Sequence, residues 1–339
     1  MNSYPEPDFA HLCRMTDQRG TFEHARFTEP RTGHGYCTDD MARVLVVASR
    51  ETDPSPAVTR LVEVSLRFLG DAQDLRGRYR NRMNREGHWE DTPSTEDCWG
   101  RSVWGLGTAA AHGSLDRISP AATLQFNRAV QERSPWSRAM SFAAIGAAEM
   151  LSVQPDNASA RALLEDVADR FRPERRPGVW LWPEARLAYA NAALPEAIIA
   201  AGVVLKRSRL LRYGLDLLEW LLLRETSGGH LSVTPVGGRG PEDAIPAFDQ
   251  QPIEVAALAD ACARAARFDD RGPWADGVRA AVDWFQGDND AHAVMWDPAT
   301  GGGYDGLHAH GANLNQGAES TLALLSTFQH GRRFAPVLQ

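Results

Sequence analysis

The sequence predicts an all-α protein built as an (α/α)6 toroid, a six-hairpin barrel with long loops on one rim. Two observations carry that expectation. Apolar helical segments rich in small residues alternate with more charged amphipathic ones, and the connections before the small-residue segments are long and uneven. Helices of Ala, Gly and Leu suit a crowded interior, whereas charged amphipathic helices suit an outer layer with one face in water.

Six inner segments begin at polar residues. They start near Thr38 (TDDMARVLVVAS), Thr95 (TEDCWGRSVWGLGTAAA), Ser137 (SRAMSFAAIGAAEML), Asn191 (NAALPEAIIAAGVVL), Asp249 (DQQPIEVAALADACA) and Asn315 (NQGAESTLALLSTF). Five outer helices lie between them, over roughly 56–72, 120–132, 158–171, 207–224 and 273–285, and the region 8–17 is free to supply a twelfth. The long connections are 77–94, 173–190, 227–248 and 287–314, each ahead of an inner helix. A length of 339 residues would suit two domains at about 150 residues each. Six alternating pairs favour one domain spanning 1–339. An open α-solenoid would show the same alternation, but its repeats usually share a length and a signature.

Hydrophobic residues make up 43% and charged residues 24% of the chain, which excludes wholesale disorder, a collagen-like repeat and a coiled-coil rod. Acidic residues outnumber basic ones by 44 to 36, without a block of five like charges, so no nucleic-acid or anionic-membrane partner is expected. Cys13, Cys37, Cys98 and Cys262 show no CxxC spacing, and MNSYPEPDFA lacks the regions of a signal peptide. The expectation is a reduced, cytoplasmic protein. Apolar runs such as 197–205 fall short of the ~18 residues of a membrane span.

If the inner helices run the same way, their N-termini share one face of the ring. That face would present Asp39 and Asp40, Glu96 and Asp97, Asn191, Asp249 with Gln250 and Gln251, and Asn315 with Gln316, with Glu254 and Glu319 one turn inside. Taken singly, Thr38, Thr95, Ser137, Asn191 and Asn315 read as helix caps. The doubled groups exceed what capping needs, and carboxylates in apolar helices are costly unless used or paired. Two carboxylates across a concave pocket can cleave a glycosidic bond, one protonating the leaving oxygen while the other activates water or attacks. Adjacent residues at a helix start point about 100° apart, so one of each pair aims inward. Asp40 and Asp97 are favoured as catalytic, with Asp249 beside them.

Trp89 and Trp182 lie in polar loop stretches and are candidates to stack on sugar rings, with Arg101, His34, Tyr36 and Asp305 as further substrate contacts. His308, in the GGGYDGLHAHGAN loop, is another. No cofactor or metal is expected: His34, Cys37 and Cys98 lack tight ligand spacing, and VGGRG lacks the lysine and context of a phosphate loop.

The strings HGYCTDDMAR, EDCWGRSVWGLG, YANAALPEA, FDQQPIEVAA and YDGLH…NQGAEST together resemble a family of bacterial (α/α)6 six-hairpin glycosidase-like proteins, found alone or attached to glycosyltransferase domains. The likeness runs from about residue 17 to 324. It implies the toroid and a carbohydrate substrate, and it points to a functional link with a glycosyltransferase or phosphorylase. It does not choose the acid or the base.

The leading expectation is a glycoside hydrolase acting on an oligosaccharide, with Asp97 as general acid and Asp40 or Asp249 as base or nucleophile. A sugar epimerase or isomerase on the same toroid, using His34 and His308, is the rival; a non-catalytic glycan-binding partner of a glycosyltransferase is the third reading.

Overall fold

The computed structural model describes residues 4–113, 117–172 and 180–334. Among them are twelve α-helices: α1 (Ala10–Arg14), α2 (Thr38–Ser49), α3 (Pro56–Ala72), α4 (Asp97–His112), α5 (Ile118–Ala129), α6 (Ser137–Val153), α7 (Ala158–Arg170), α8 (Ala193–Val204), α9 (Ser208–Arg224), α10 (Pro252–Ala265), α11 (Trp274–Phe285) and α12 (Ala318–Phe334). The even-numbered helices pack side by side in chain order, and α12 packs back onto α2. That last contact closes the ring and excludes an open solenoid. Helices α3, α5, α7, α9 and α11 each back the preceding inner helix, and the short α1 fills the twelfth place against α12 and α3.

Burial follows from this layering. All twelve residues of α2 are buried, because it has ring neighbours on two sides, α3 behind and the packed lumen in front. Helix α3 buries one stripe, including Leu61, Leu66, Phe68 and Leu69, and leaves Arg60 and Arg67 in water. The closest crossing is α4 on α6. A Cβ on Gly107 would strike the Gly146 carbonyl, and one on Gly146 would strike the Val103 carbonyl, so glycine is what lets these backbones touch.

The capping expectation is corrected. Helices α2, α4, α6, α8 and α10 carry no side-chain cap, whereas the outer α3 and α7 are capped by Ser55 and Asn157. Thr38 and Ser137 are already helical, and Thr95 precedes the N-cap residue Glu96. Asn191 and Asn315 bond elsewhere, the latter accepting from the Phe27 N–H. Helices α8 and α10 begin at Ala193 and Pro252, a few residues later than the polar starts, because 190–192 and 249–251 are tied into loop hydrogen bonds.

The connections ahead of the inner helices gather on one rim; of 173–190, the described part is 180–190. Two of them order that rim with short antiparallel pairs. Tyr36–Cys37 pairs with Arg82–Met83, which fixes the entry to α2, and Gly306–His308 pairs with Gly311–Asn313. Gln250 also exchanges backbone hydrogen bonds with Leu307, setting Asp249 against the second hairpin. The segment around Glu23 crosses the start of α12, where the Glu23 carbonyl accepts from the Ala318 N–H.

Candidate functional site

The rim encloses a cavity of about 420 Å³. Helix α2 contributes Asp39, Asp40 and Arg43; α4 contributes Arg101; α12 contributes Glu319 and Ser320; and the loops add Asp249, Gln251, Asp305 and Asn313. Glu23, His24 and Arg82 come from the N-terminal segment and the first long connection. First-turn acids are natural here, since an uncapped helix N-terminus favours negative charge.

Two arginines organise the floor. Arg43 places Nη1 3.1 Å from Asp40 Oδ1 and Nη2 2.8 Å from Glu319 Oε2, bridging α2 and α12. Arg101 bridges Asp39 Oδ1 at 3.3 Å and Asp97 Oδ2 at 3.5 Å. Asp39 also accepts from Asn81 Nδ2 at 3.1 Å. Glu23 is paired with Arg82, and Asp305 accepts from the Gly317 N–H at 2.7 Å. Asp249 Oδ1 takes no hydrogen bond and stands 3.4 Å from His308 Nδ1.

Asp40 is the chemically distinctive acid. Burial pushes its carboxyl up from 3.8 to about 7; Arg43 opposes the rise, while Glu319, Glu23 and Asp39 add to it. A carboxyl in that state carries its proton near neutral pH and can give it up. Asp305 is also raised, chiefly by burial.

Asp39, Asp40, Arg101, Asp249, Gln251, Asp305 and Glu319 therefore meet at one cavity. His308 is exposed at its rim, in contact with Asp249. Asp97 does not line it: its carboxylate engages Arg101 and the Tyr189 hydroxyl. Glu96 is exposed at the start of α4, and His34 is exposed with its ring packed edge-on to His24.

Several expected contacts are structural instead. Trp182 is completely buried and stacked on Trp220, so neither face is open to a sugar. Trp89 packs edge-on against Phe68 on the core and is not part of the cavity wall. Tyr36 is buried, stacked on Phe22, with its hydroxyl donating to Asp17 at 2.7 Å. Gln250 is fully buried and donates to Ala247 O and Asp290. Gln316 is buried and bonded to Thr300 and Asp297. Asn191 and Glu254 form a buried latch: Glu254 accepts from the Ala190 and Asn191 N–H groups and from Asn191 Nδ2, while Asn191 Oδ1 accepts from Arg138.

Glu23, His24, Arg43, Arg82, Asn313 and Ser320 are wall residues the sequence reading missed. Only Arg43 had a local signal, one helical turn after Asp40 in TDDMAR. Among the described residues Glu23, Cys37 and Asp40 bring potential metal-ligand atoms within 4.8 Å of one another. Cys37 is a poor ligand there, because burial pushes its thiol well up and its Sγ is 3.3 Å from Asn81 Oδ1. No described helix is long and apolar enough to cross a membrane.

No protein-family model matches the chain, and no curated protein matches it in sequence. Solved structures do match. A sugar epimerase from a ruminal bacterium superposes with a TM-score of 0.71 at 12% identity over 95% of each chain. The cellobiose 2-epimerase of Spirochaeta thermophila gives 0.67 at 14% identity, over 95% of this chain and 92% of that one. An inactive variant of an α-1,6-mannanase of Salegentibacter, in complex with α-1,6-mannotetrose, gives 0.61 at 12% identity over 96% of each. The chain is an (α/α)6 toroid. At these identities the likeness establishes the fold, and the site has to be argued from its own residues.

Proposed function

We propose that the protein is a carbohydrate-active enzyme, a glycoside hydrolase that cleaves an oligosaccharide in the rim cavity. The observation that carries this reading is the buried carboxyl of Asp40, pushed up to about 7, in a cavity whose wall holds a second carboxylate, Asp249, with an oxygen that takes no hydrogen bond. Asp40 donates its proton to the glycosidic oxygen, a role first expected of Asp97. Asp249 directs water to the anomeric carbon or attacks it. Arg101 holds Asp39 and Asp97 in place, and Arg43, Gln251, Asn313 and Ser320 can satisfy sugar hydroxyls. Six carboxylates against three guanidinium groups on the wall suit a neutral polyol better than an anionic substrate. The similar solved structures, named as sugar epimerases and an α-1,6-mannanase, support a sugar substrate.

The contact of His308 with Asp249 favours one second reading, a sugar epimerase in which imidazoles move the protons, with His24, which lines the cavity, in place of His34. One experiment separates the two. Wild type, Asp40→Asn and His308→Asn are incubated with gluco-, manno-, galacto- and arabino-oligosaccharides, with and without phosphate, and products are followed by mass spectrometry and anomeric proton NMR. Cleavage by wild type, reduced about 10²–10⁴-fold in Asp40→Asn and less in His308→Asn, is the expected result. Unchanged mass with a changed C2 signal, abolished in His308→Asn, gives the epimerase. Cleavage only with phosphate shifts the reaction to phosphorolysis. Binding without turnover would refute both enzymes and leave a glycan-binding protein.

A further inference from the structure

The opposite end of the toroid holds a second cavity, which the proposed reaction does not use. It has a volume of about 250 Å³ and lies among the C-terminal ends of α2, α4, α10 and α12. A groove of about 360 Å³ running beside α6 and α8 shares His112, Glu149, Arg264 and Arg267 with it. An apolar space of only about 40 Å³ lies between the two ends, reaching Arg43 and Glu319 on one side and Glu196 and Asp260 on the other. The rear cavity shares Glu196 and Asp260 with that space and no lining residue with the rim cavity.

Four guanidinium groups line it, those of Arg50, Arg264, Arg267 and Arg333, against three carboxylates, those of Glu149, Glu196 and Asp260. The carboxylates are already engaged. Asp260 is 2.8 Å from Arg50 Nη1 and 2.6 Å from His330 Nε2; Glu149 is 2.7 Å from Arg264 Nη2 and 3.1 Å from His112; Glu196 is 2.8 Å from Arg264 Nε. The arginines are not used up. Among the described residues, Nη2 and Nε of Arg50 and Nη1 of Arg264 meet no acceptor, and Arg267 and Arg333 have no ion pair. Burial also raises Glu196 to about 7, which removes part of the negative charge near neutral pH.

Cations at helix C-termini complement the helix dipole, and Arg267 and Arg333, which are exposed, could do only that. The dipole does not explain Arg50 and Arg264. Their side chains are 11% and 12% exposed, yet each keeps N–H groups without an acceptor beside a void. These unpaired N–H groups are open to the cavity, so they can donate to the oxygens of an anion held there. Forked guanidinium donors match the oxygens of a tetrahedral oxyanion.

We propose that the rear cavity is a binding site for a small oxyanion, phosphate either free or carried on a sugar, held by Arg50 and Arg264 from below and by Arg267 and Arg333 from the rim. It shares no lining residue with the rim cavity, so it stands apart from the substrate contacts proposed there.

Calorimetric titration of the full chain with inorganic phosphate, and in a second arm with glucose 1-phosphate, tests this. Saturable binding is expected in wild type and in Asp40→Asn, whose change lies at the other end of the ring. The double variant Arg267→Gln/Arg333→Gln alters exposed side chains, and its melting temperature without phosphate checks that it is folded. It should bind at least about tenfold more weakly, since two charge-assisted contacts are lost, and Arg267→Gln alone should show a smaller loss in the same direction. Tighter binding of glucose 1-phosphate identifies a sugar phosphate, and tighter binding of phosphate identifies the free anion. No saturable binding of either probe overturns the proposal. So does undiminished binding in the folded double variant, or loss of binding in Asp40→Asn.

Discussion

Replacing Asp40 by asparagine should stabilise the fold at alkaline pH while removing activity. The carboxyl has an ordinary value of 3.8 and stands at about 7 in the folded chain, chiefly because it is buried. An acid raised by folding holds its proton in the native state over a range where the unfolded chain has lost it. Stability is therefore unaffected below about pH 3.8, falls as pH rises from there to about 7, and is flat above. At about 1.4 kcal/mol per tenfold change in ionisation, the loss over that window is about 4 kcal/mol. The side chain is only 4% exposed, so solvent screening removes little of it. Asparagine keeps the shape and never ionises, and Arg43 retains Glu319 at 2.8 Å. Thermal unfolding of both proteins from pH 4 to 8.5 should show a gap that opens with pH, with Asp40→Asn the more stable by up to about 4 kcal/mol above pH 7. A variant less stable than wild type at pH 8 would refute the argument. It would mean that Asp40 is ionised and stabilised by Arg43, and the general-acid role would go with it.

Gly146→Ala should cost about 1–3 kcal/mol or more of stability, read from denaturant midpoints, because its Cβ meets the Val103 carbonyl and the Trp104 backbone at the α4–α6 crossing. Glu254→Gln should lose about 1–3 kcal/mol, since an amide NH2 would face donors that the carboxylate oxygens now accept from; a crystal structure should show the chain around Ala190 displaced. Trp182→Phe should lower the melting temperature yet leave KM for the cleaved oligosaccharide within about twofold, as expected of a ring buried beneath the surface; a large rise in KM would restore it as a sugar contact.

Local order was legible because helix periodicity and small-residue composition are local signals. The run TDDMARVLVVAS coincides with α2, and every inner segment became a ring helix. Ring closure rests on α12 meeting α2, a contact between chain ends that no window of sequence contains. Residues of the candidate cavity were readable where acids sit in the first turn of a ring helix, as with Asp39, Asp40 and Glu319. It was misread where polar residues lie in long connections. There Asn191, Gln250 and Gln316 satisfy buried backbone and side-chain groups that loops of this length must themselves provide for. Trp182 failed for the same reason, since a long connection carries its own apolar anchor. Glu23 and His24 were invisible, because only the tertiary path of the N-terminal segment brings them over the start of α12.

The distribution of proton carriers between rigid and loop-borne positions bears on the two enzymatic readings. Asp39, Asp40 and Glu319 project from first turns of ring helices, where flanking helices and two bridging arginines fix them. The imidazoles come from elsewhere: His24 from the segment laid across α12, and His308 from a short hairpin, with 51% of its side chain exposed. Catalytic groups need positions held to a fraction of an ångström, which packed elements provide better than exposed hairpins. The proposed general acid, Asp40, is therefore held by the ring itself, whereas Asp249 and His308 both depend on how firmly substrate orders the rim. If the epimerase reading is right, His308 must become ordered on sugar binding, and its NMR ring signals should sharpen and shift together with catalysis. If bond cleavage is the reaction, those signals can stay broad in the Michaelis complex while turnover continues.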